Sequence, residues 1–144
     1  MSALDSLNPS DANAMSDYDI VTADVQNNHK GRDLGVKEAI KTYDKWVKGG
    51  GKVFKTDKVR ILYTALLKKG VEFHCINGGN ANDLIDAVNS FLQSLIGQFP
   101  VAVTYYDNPA INELLKHATV HAHFEKIDEG VDKTYAAVFI LRNR

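Results

Sequence analysis

The side chains best suited to chemistry sit at alternate positions near the C-terminus: His117, Thr119, His121, His123 and Glu125. Three of the chain's five histidines fall in this stretch. If the segment is extended, these residues share one face, and Ala118, Val120, Ala122 and Phe124 form a packing face on the other. Successive members of the polar row then stand about 6–7 Å apart. A strand can offer two imidazoles at His121-x-His123 to one metal, with Glu125 assisting. A histidine with a free pKa near 6.5 can also serve as a general base.

The pair His117-x-Thr119 resembles half of the site of two-histidine phosphoesterases, in which paired His-x-Thr/Ser motifs flank a phosphate. The second pair is missing, because His74-Cys75-Ile76 has isoleucine where the hydroxyl belongs. One reading is therefore a histidine-dependent hydrolase or metal enzyme centred on His117, His121 and His123. The preferred reading is a solvent-facing strand surface that happens to be rich in histidine, so no catalytic or metal-ligating residue is assigned. His74 cannot activate the neighbouring Cys75, since adjacent strand residues point to opposite faces. Cys75 shares parity with Val71 and Phe73 and reads as a small buried hydrophobe.

INGGNAND (76–83) joins a strand to a helix, where phosphate-cradling loops occur. It lacks both GxGxxG and GxxxxGK[ST], and Asp83 and Asp86 in the first helical turn would repel a phosphate. An ordinary turn is expected, and no cofactor.

Charge supplies the strongest signal. The net charge of −1 hides an asymmetry: residues 30–69 hold twelve Lys and Arg against four acids, and residues 1–29 hold five acids and neither base. Lys37, Lys41, Lys45 and Lys48 fall within an arc of about 80° on a helix. Lys52, Lys55, Lys58 and Arg60 prolong the positive surface, with Trp46 and Phe54 near it. Such lysines repel one another by a few tenths of a kcal/mol per pair, roughly, and suit phosphate neutralisation rather than base reading.

These residues need elements to hold them. Residues 18–25 alternate and read as a short edge strand. Val36, Ile40, Tyr43 and Val47 give a helix over 36–48, stopped by Gly49–Gly51. KVFK (52–55) reads as a strand. Val59, Leu62, Tyr63 and Leu66 read as a second helix capped by Thr56 or Asp57, with Lys68 and Lys69 in its last turn. A strand over 71–77, a helix over 82–97, a strand over 101–107 and a short helix INELLKH follow. Two strands, 118–127 and 134–143, surround a turn. The last is apolar at both parities and belongs inside the sheet. The order predicts an α/β fold: a single-domain mixed sheet with helices packed on it, ending in a β-hairpin.

At 144 residues the chain fits one domain. Residues 1–17 are expected to be a disordered tail and 18–144 a single α/β domain. No apolar run reaches the ~18 residues that span a bilayer. A lone cysteine suits a reducing intracellular compartment such as the cytoplasm.

KVFKTDKVRILYTALLKKG, VEFHCINGGNANDLIDAVNSFLQSLI and TYAAVFILRNR are similar to the first strand, loop and helix, the second strand, turn and helix, and the closing strand of the Alba family of small nucleic-acid-binding proteins. The resemblance spans about residues 52–100 and 134–144. It implies nucleic-acid contacts at Lys55 and Lys58 and a homodimer or larger assembly. Together with the charge, it predicts a non-enzymatic protein binding DNA or RNA phosphates without sequence preference. Lys37, Lys41, Lys45, Lys48, Lys52, Lys55, Lys58 and Arg60 would form the contact surface. The alternative is a protein-binding or assembly factor that meets an acidic partner.

Overall fold

The computed structural model describes residues 15–28, 35–66, 70–106, 112–129 and 132–144. Two helices open this part of the chain, α1 (Asp17–Asn28) and α2 (Val36–Lys48). Three strands follow, β1 (Lys52–Lys55), β2 (Val59–Leu66) and β3 (Gly70–Asn77). Then come α3 (Ala81–Leu95), β4 (Val101–Tyr106), the short α4 (Asn112–Lys116), β5 (Val120–Glu129) and β6 (Asp132–Asn143). The strands form one sheet in the order β1-β2-β3-β4-β6-β5. The expected α/β class, the single mixed sheet and the closing hairpin β5–β6 are all present.

The chain's local patterns explain most of this. Asn80 caps α3 by accepting from the Asp83 N–H, while the Asp83 carboxylate accepts from the Asn80 N–H, a reciprocal capping box. The α3 stripe of Ala87, Val88, Phe91, Leu92 and Leu95 is buried. It packs on the sheet face that carries Ile61, Phe73 and Phe139. Phe91 is the hub: its ring lies 5.4 Å from Phe54, 5.1 Å from Tyr63 and 5.3 Å from Phe73. The opposite face, at the β1–β3 side, is covered by α1 and α2 through Ile20, Val21 and Tyr43, which meet Ile76 and Leu62.

Two elements differ from the sequence-based expectation. Residues 18–25 belong to helix α1, not to an edge strand. Ile20, Val21, Asp24 and Val25 are its buried side, a helical spacing that an alternating count misses. Residues 59–66 form strand β2, not a helix. Val59, Ile61 and Tyr63 alternate toward the core, and β2 is paired along its length with β3 and over Arg60–Tyr63 with β1. Val59, Leu62, Tyr63 and Leu66 satisfy a helical count only because Leu62 and Leu66 place apolar side chains on the second parity of this strand as well. Lys68, Lys69 and residues 1–14 of the expected tail lie outside the described residues.

Candidate active site

The sheet is two antiparallel halves with a seam. β1, β2 and β3 pair antiparallel, as do β4, β6 and β5. The halves meet where β3 and β4 run parallel, and there only Val71↔Ala102 and Glu72↔Val103 are partners. Beyond them β3 continues to Asn77 and β4 to Tyr106, so the strands part and a wedge opens toward their C-terminal ends.

A strand edge without a ladder partner must satisfy its peptide groups otherwise. At the far end of the wedge the protein does this itself. Val59, opposite Asn77, exchanges hydrogen bonds with Thr56 on the β1 side. The Val59–Asn77 pair is therefore non-hydrogen-bonded, and the Asn77 N–H faces the wedge. Asp24 reaches in from α1, and its Oδ1 accepts that N–H at 3.1 Å.

The turn from β3 into α3 is closed in the same manner. The Gly78 N–H donates to the Lys58 carbonyl at 2.8 Å. The Gly79 N–H donates to Asn77 Oδ1 at 2.9 Å, and the Asn80 N–H to Asp83 Oδ2 at 2.8 Å. Beside the turn an open cleft of about 670 Å³ is lined by Thr56, Asp57, Lys58, Asp83, Asp86, Ala87 and Ser90. Its carboxylates outnumber its one ammonium, and Lys58 Nζ stands 4.0 Å from Asp83.

Two side chains with acid–base chemistry flank the wedge mouth. His74 on β3 and Tyr105 on β4 each lie two residues beyond the last paired rung, Glu72↔Val103. They share a sheet face, since side-chain parity is conserved along both strands. Both are exposed, Tyr105 by 48%. Cys75 faces the other way, toward Ile61 in the core; burial, then the nearby Asp24 charge, pushes its thiol up to about 12, which removes it as a nucleophile.

The histidine row assembles only in part. His117 lies just past α4, not on a strand, with Nε2 3.8 Å from Glu113. β5 starts at Val120 and its register slips between Val120 and His121. His121, His123 and Glu125 are exposed, and His123 Nε2 lies 3.4 Å from Glu125 Oε1. Among the described residues no three His, Cys, Asp or Glu side chains group closely enough to hold a metal ion.

The lysines divide likewise. Lys37, Lys41, Lys45 and Lys48 are exposed along α2, and Lys52 is exposed on β1. Lys55 Nζ sits 3.6 Å from Asp17 Oδ2. Arg60 is 7% exposed, and its Nε donates to Asp17 Oδ1 at 2.6 Å while its guanidinium reaches the Thr56, Val59 and Met15 carbonyls. It fastens α1 to β2 and offers nothing to a surface ligand. The expectation that Arg60 belongs to an outward basic surface is corrected by that burial.

No family model and no curated protein matches this sequence. Solved structures do. The chain is similar to a protein described as a GnaT-family acetyltransferase from Bordetella pertussis, at a TM-score of 0.54 and 9% identity over 88% of this chain and 92% of that one. This is a shared fold. A Campylobacter jejuni N-acetyltransferase, PseH, solved in complex with acetyl coenzyme A, aligns over the same shares at a TM-score of 0.49 and 15% identity.

The shared fold overturns the resemblance to Alba proteins, because it covers 88% of the chain and because residues 59–66, which the resemblance made a helix, are strand β2. The reading of a non-enzymatic protein with a DNA or RNA partner, which joined that resemblance to the basic segment, is corrected by the same finding. The alternative of a hydrolase or metal enzyme on His117, His121 and His123 loses its footing, because His117 lies off the strand and the described residues hold no metal-binding group. For membranes the finding is narrower: among the described residues no helix is long and apolar enough to cross one.

Proposed function

We propose that this chain transfers an acyl group from a thioester donor to an amine, with the donor's arm lying in the wedge between β3 and β4. The observation that carries this reading is the seam itself. A parallel pair that holds for two rungs and then parts leaves two facing strand edges that an amide-bearing arm can bridge. The Bordetella protein of the same fold, described as an acetyltransferase, supports the same chemistry.

His74 and Tyr105 suit the proton movements of such a reaction. The acceptor arrives as an ammonium and must lose a proton before its nitrogen attacks the thioester carbon; His74 is the candidate base. As the C–N bond forms and the C–S bond breaks, the leaving sulfur takes a proton, and Tyr105 across the wedge is the candidate acid. Both are exposed on the sheet face that α1 and α2 cover at its β1–β3 side, so an acceptor can reach them.

Acetyl coenzyme A, the donor such a fold implies, has two parts to place. Its amide-bearing arm matches the unpaired edges of the wedge. Its diphosphate does not match the turn at Asn77–Asn80, whose N–H groups are already bonded to the protein's own oxygens. No step of the mechanism is assigned to that diphosphate.

The direct test is to incubate the protein with an acetyl thioester and a panel of amines (a polyamine, a lysine peptide, an amino sugar). Released thiol and acetylated amine are then measured together. Thiol release that depends on one of the amines is expected. If thiol appears only at the rate of spontaneous hydrolysis with every amine, the reading is wrong.

A further inference from the structure

We propose that the donor is held by its thioester arm alone, and that the turn from β3 into α3 is closed to a diphosphate. The proposal rests on the acyl-transfer reading above and narrows the donor to a class: thioesters recognised through an amide-bearing arm, with whatever lies beyond the arm left in solvent.

An open strand-to-helix turn binds phosphate because its N–H groups point outward with no partner and the helix dipole favours negative charge. Here the N–H groups from Asn77 to Asn80 and the helix dipole are already answered from within. The N–H groups of Asn77, Gly78, Gly79 and Asn80 are held by Asp24, the Lys58 carbonyl, Asn77 Oδ1 and Asp83. Two of these four acceptors are carboxylates, and Asp24 is itself only 8% exposed. Releasing it would break a buried, charge-assisted hydrogen bond. The positive end of the α3 dipole is likewise answered by Asp83.

Space is closed as well. The two glycines of the turn would let a phosphate approach the backbone, but both open faces are filled. A Cβ built on Gly78 would lie 3.0 Å from the Ile20 Cα, so α1 packs directly on that residue. A Cβ on Gly79 would collide with the Asp83 side chain. Asp57 and Asp86 stand in the adjoining cleft and extend the negative field. Four carboxylates therefore guard the turn, and Lys58, the cation lining the cleft, already stands beside Asp83.

The test uses the intact chain and calorimetric titration with two donors, acetyl coenzyme A and S-acetylpantetheine, which shares the arm and lacks the diphosphate. Equal affinity within about threefold is expected, whereas two charge-assisted bonds from an open cradle would separate the donors by roughly a hundredfold. Tight binding of acetyl coenzyme A with weak binding of S-acetylpantetheine overturns this proposal and leaves acyl transfer standing. Binding of neither donor overturns both. A second arm uses the exposed-turn variant Asp83→Ala, which frees the Asn80 N–H and uncovers Gly79. It should bind acetyl coenzyme A about tenfold tighter than S-acetylpantetheine. If the variant discriminates no better than the parent, the closure is not what excludes the diphosphate and the proposal fails.

Discussion

Arg60 shows how a single residue can belong to the scaffold while looking like part of a surface. Its guanidinium is buried and bound to Asp17, which is 34% exposed on its side chain. Partial burial raises the Asp17 pKa, but the hydrogen bond and charge of Arg60, helped by Lys55, outweigh this and leave it below its ordinary value of 3.8. A carboxyl held below its unfolded pKa stabilises the fold at pH values above that unfolded pKa, and the contribution disappears as pH falls through the folded one. Asp17→Asn should therefore lower stability in urea by about 1–2 kcal/mol at neutral pH, with solvent screening on the open side limiting the loss. The difference from the parent should vanish toward the acid limit. A constant difference across the pH range would remove the ion pair from the account. In the reaction, His74→Ala and Tyr105→Phe should each lower kcat by roughly 100-fold with little change in KM, as loss of a proton-transfer group does. A KM effect alone would make them binding residues. Neither was legible as a site residue in the sequence. His74 drew notice only as an incomplete second phosphoesterase pair and as the neighbour of Cys75, and Tyr105 not at all, because what unites them is a register between strands separated by a helix.

At the scale of elements, α2, β1, β3, α3, β4, α4 and the closing hairpin could be read from apolar spacing, glycines and turn residues, since for each the local pattern and the packing agree. α1 and β2 could not. Both carry more apolar side chains than one face needs, so the sequence admits either period, and the partner surface decides. β2 is a strand because β1 and β3 flank it, and α1 is a helix because its buried side covers Ile76 and the turn at Gly78. Two substitutions probe these contacts. Phe91→Ala removes the ring on which Phe54, Tyr63 and Phe73 converge and should cost about 3–5 kcal/mol in urea unfolding. Gly70 begins β3 at φ +131, where any Cβ would run into the Val101 carbonyl of the neighbouring strand. Gly70→Ala should cost about 2 kcal/mol or more, from backbone strain and from spreading the seam at its start. Parent-like stability in the glycine variant would mean that the close approach of β3 to β4 is not needed there.

The whole molecule is two antiparallel units held together by a two-rung seam, with α3 laid across both. No count of residues in the sequence reveals such a seam, because it is defined by rungs that are missing. It does set an expectation for how a donor acts on the fold. A ligand that binds only the folded chain stabilises it by mass action, about 2.7 kcal/mol when present at a hundred times its Kd. If the arm lies in the wedge, it replaces the absent rungs, and its protection should be local. In hydrogen exchange with saturating S-acetylpantetheine, amides of residues 73–76 and 104–106 should slow the most. Those of 120–125, on the far side of β6, should change only as much as global stabilisation requires. The Asn77 amide separates two ways of reaching that result. It is already bonded to Asp24, so an arm that leaves α1 in place should slow its exchange less than that of residues 73–76. A donor that displaced Asp24 would instead expose α1, and exchange over residues 20–25 would speed up. Slowing confined to β5 and β6 would put the ligand on the histidine face and end the case for the wedge.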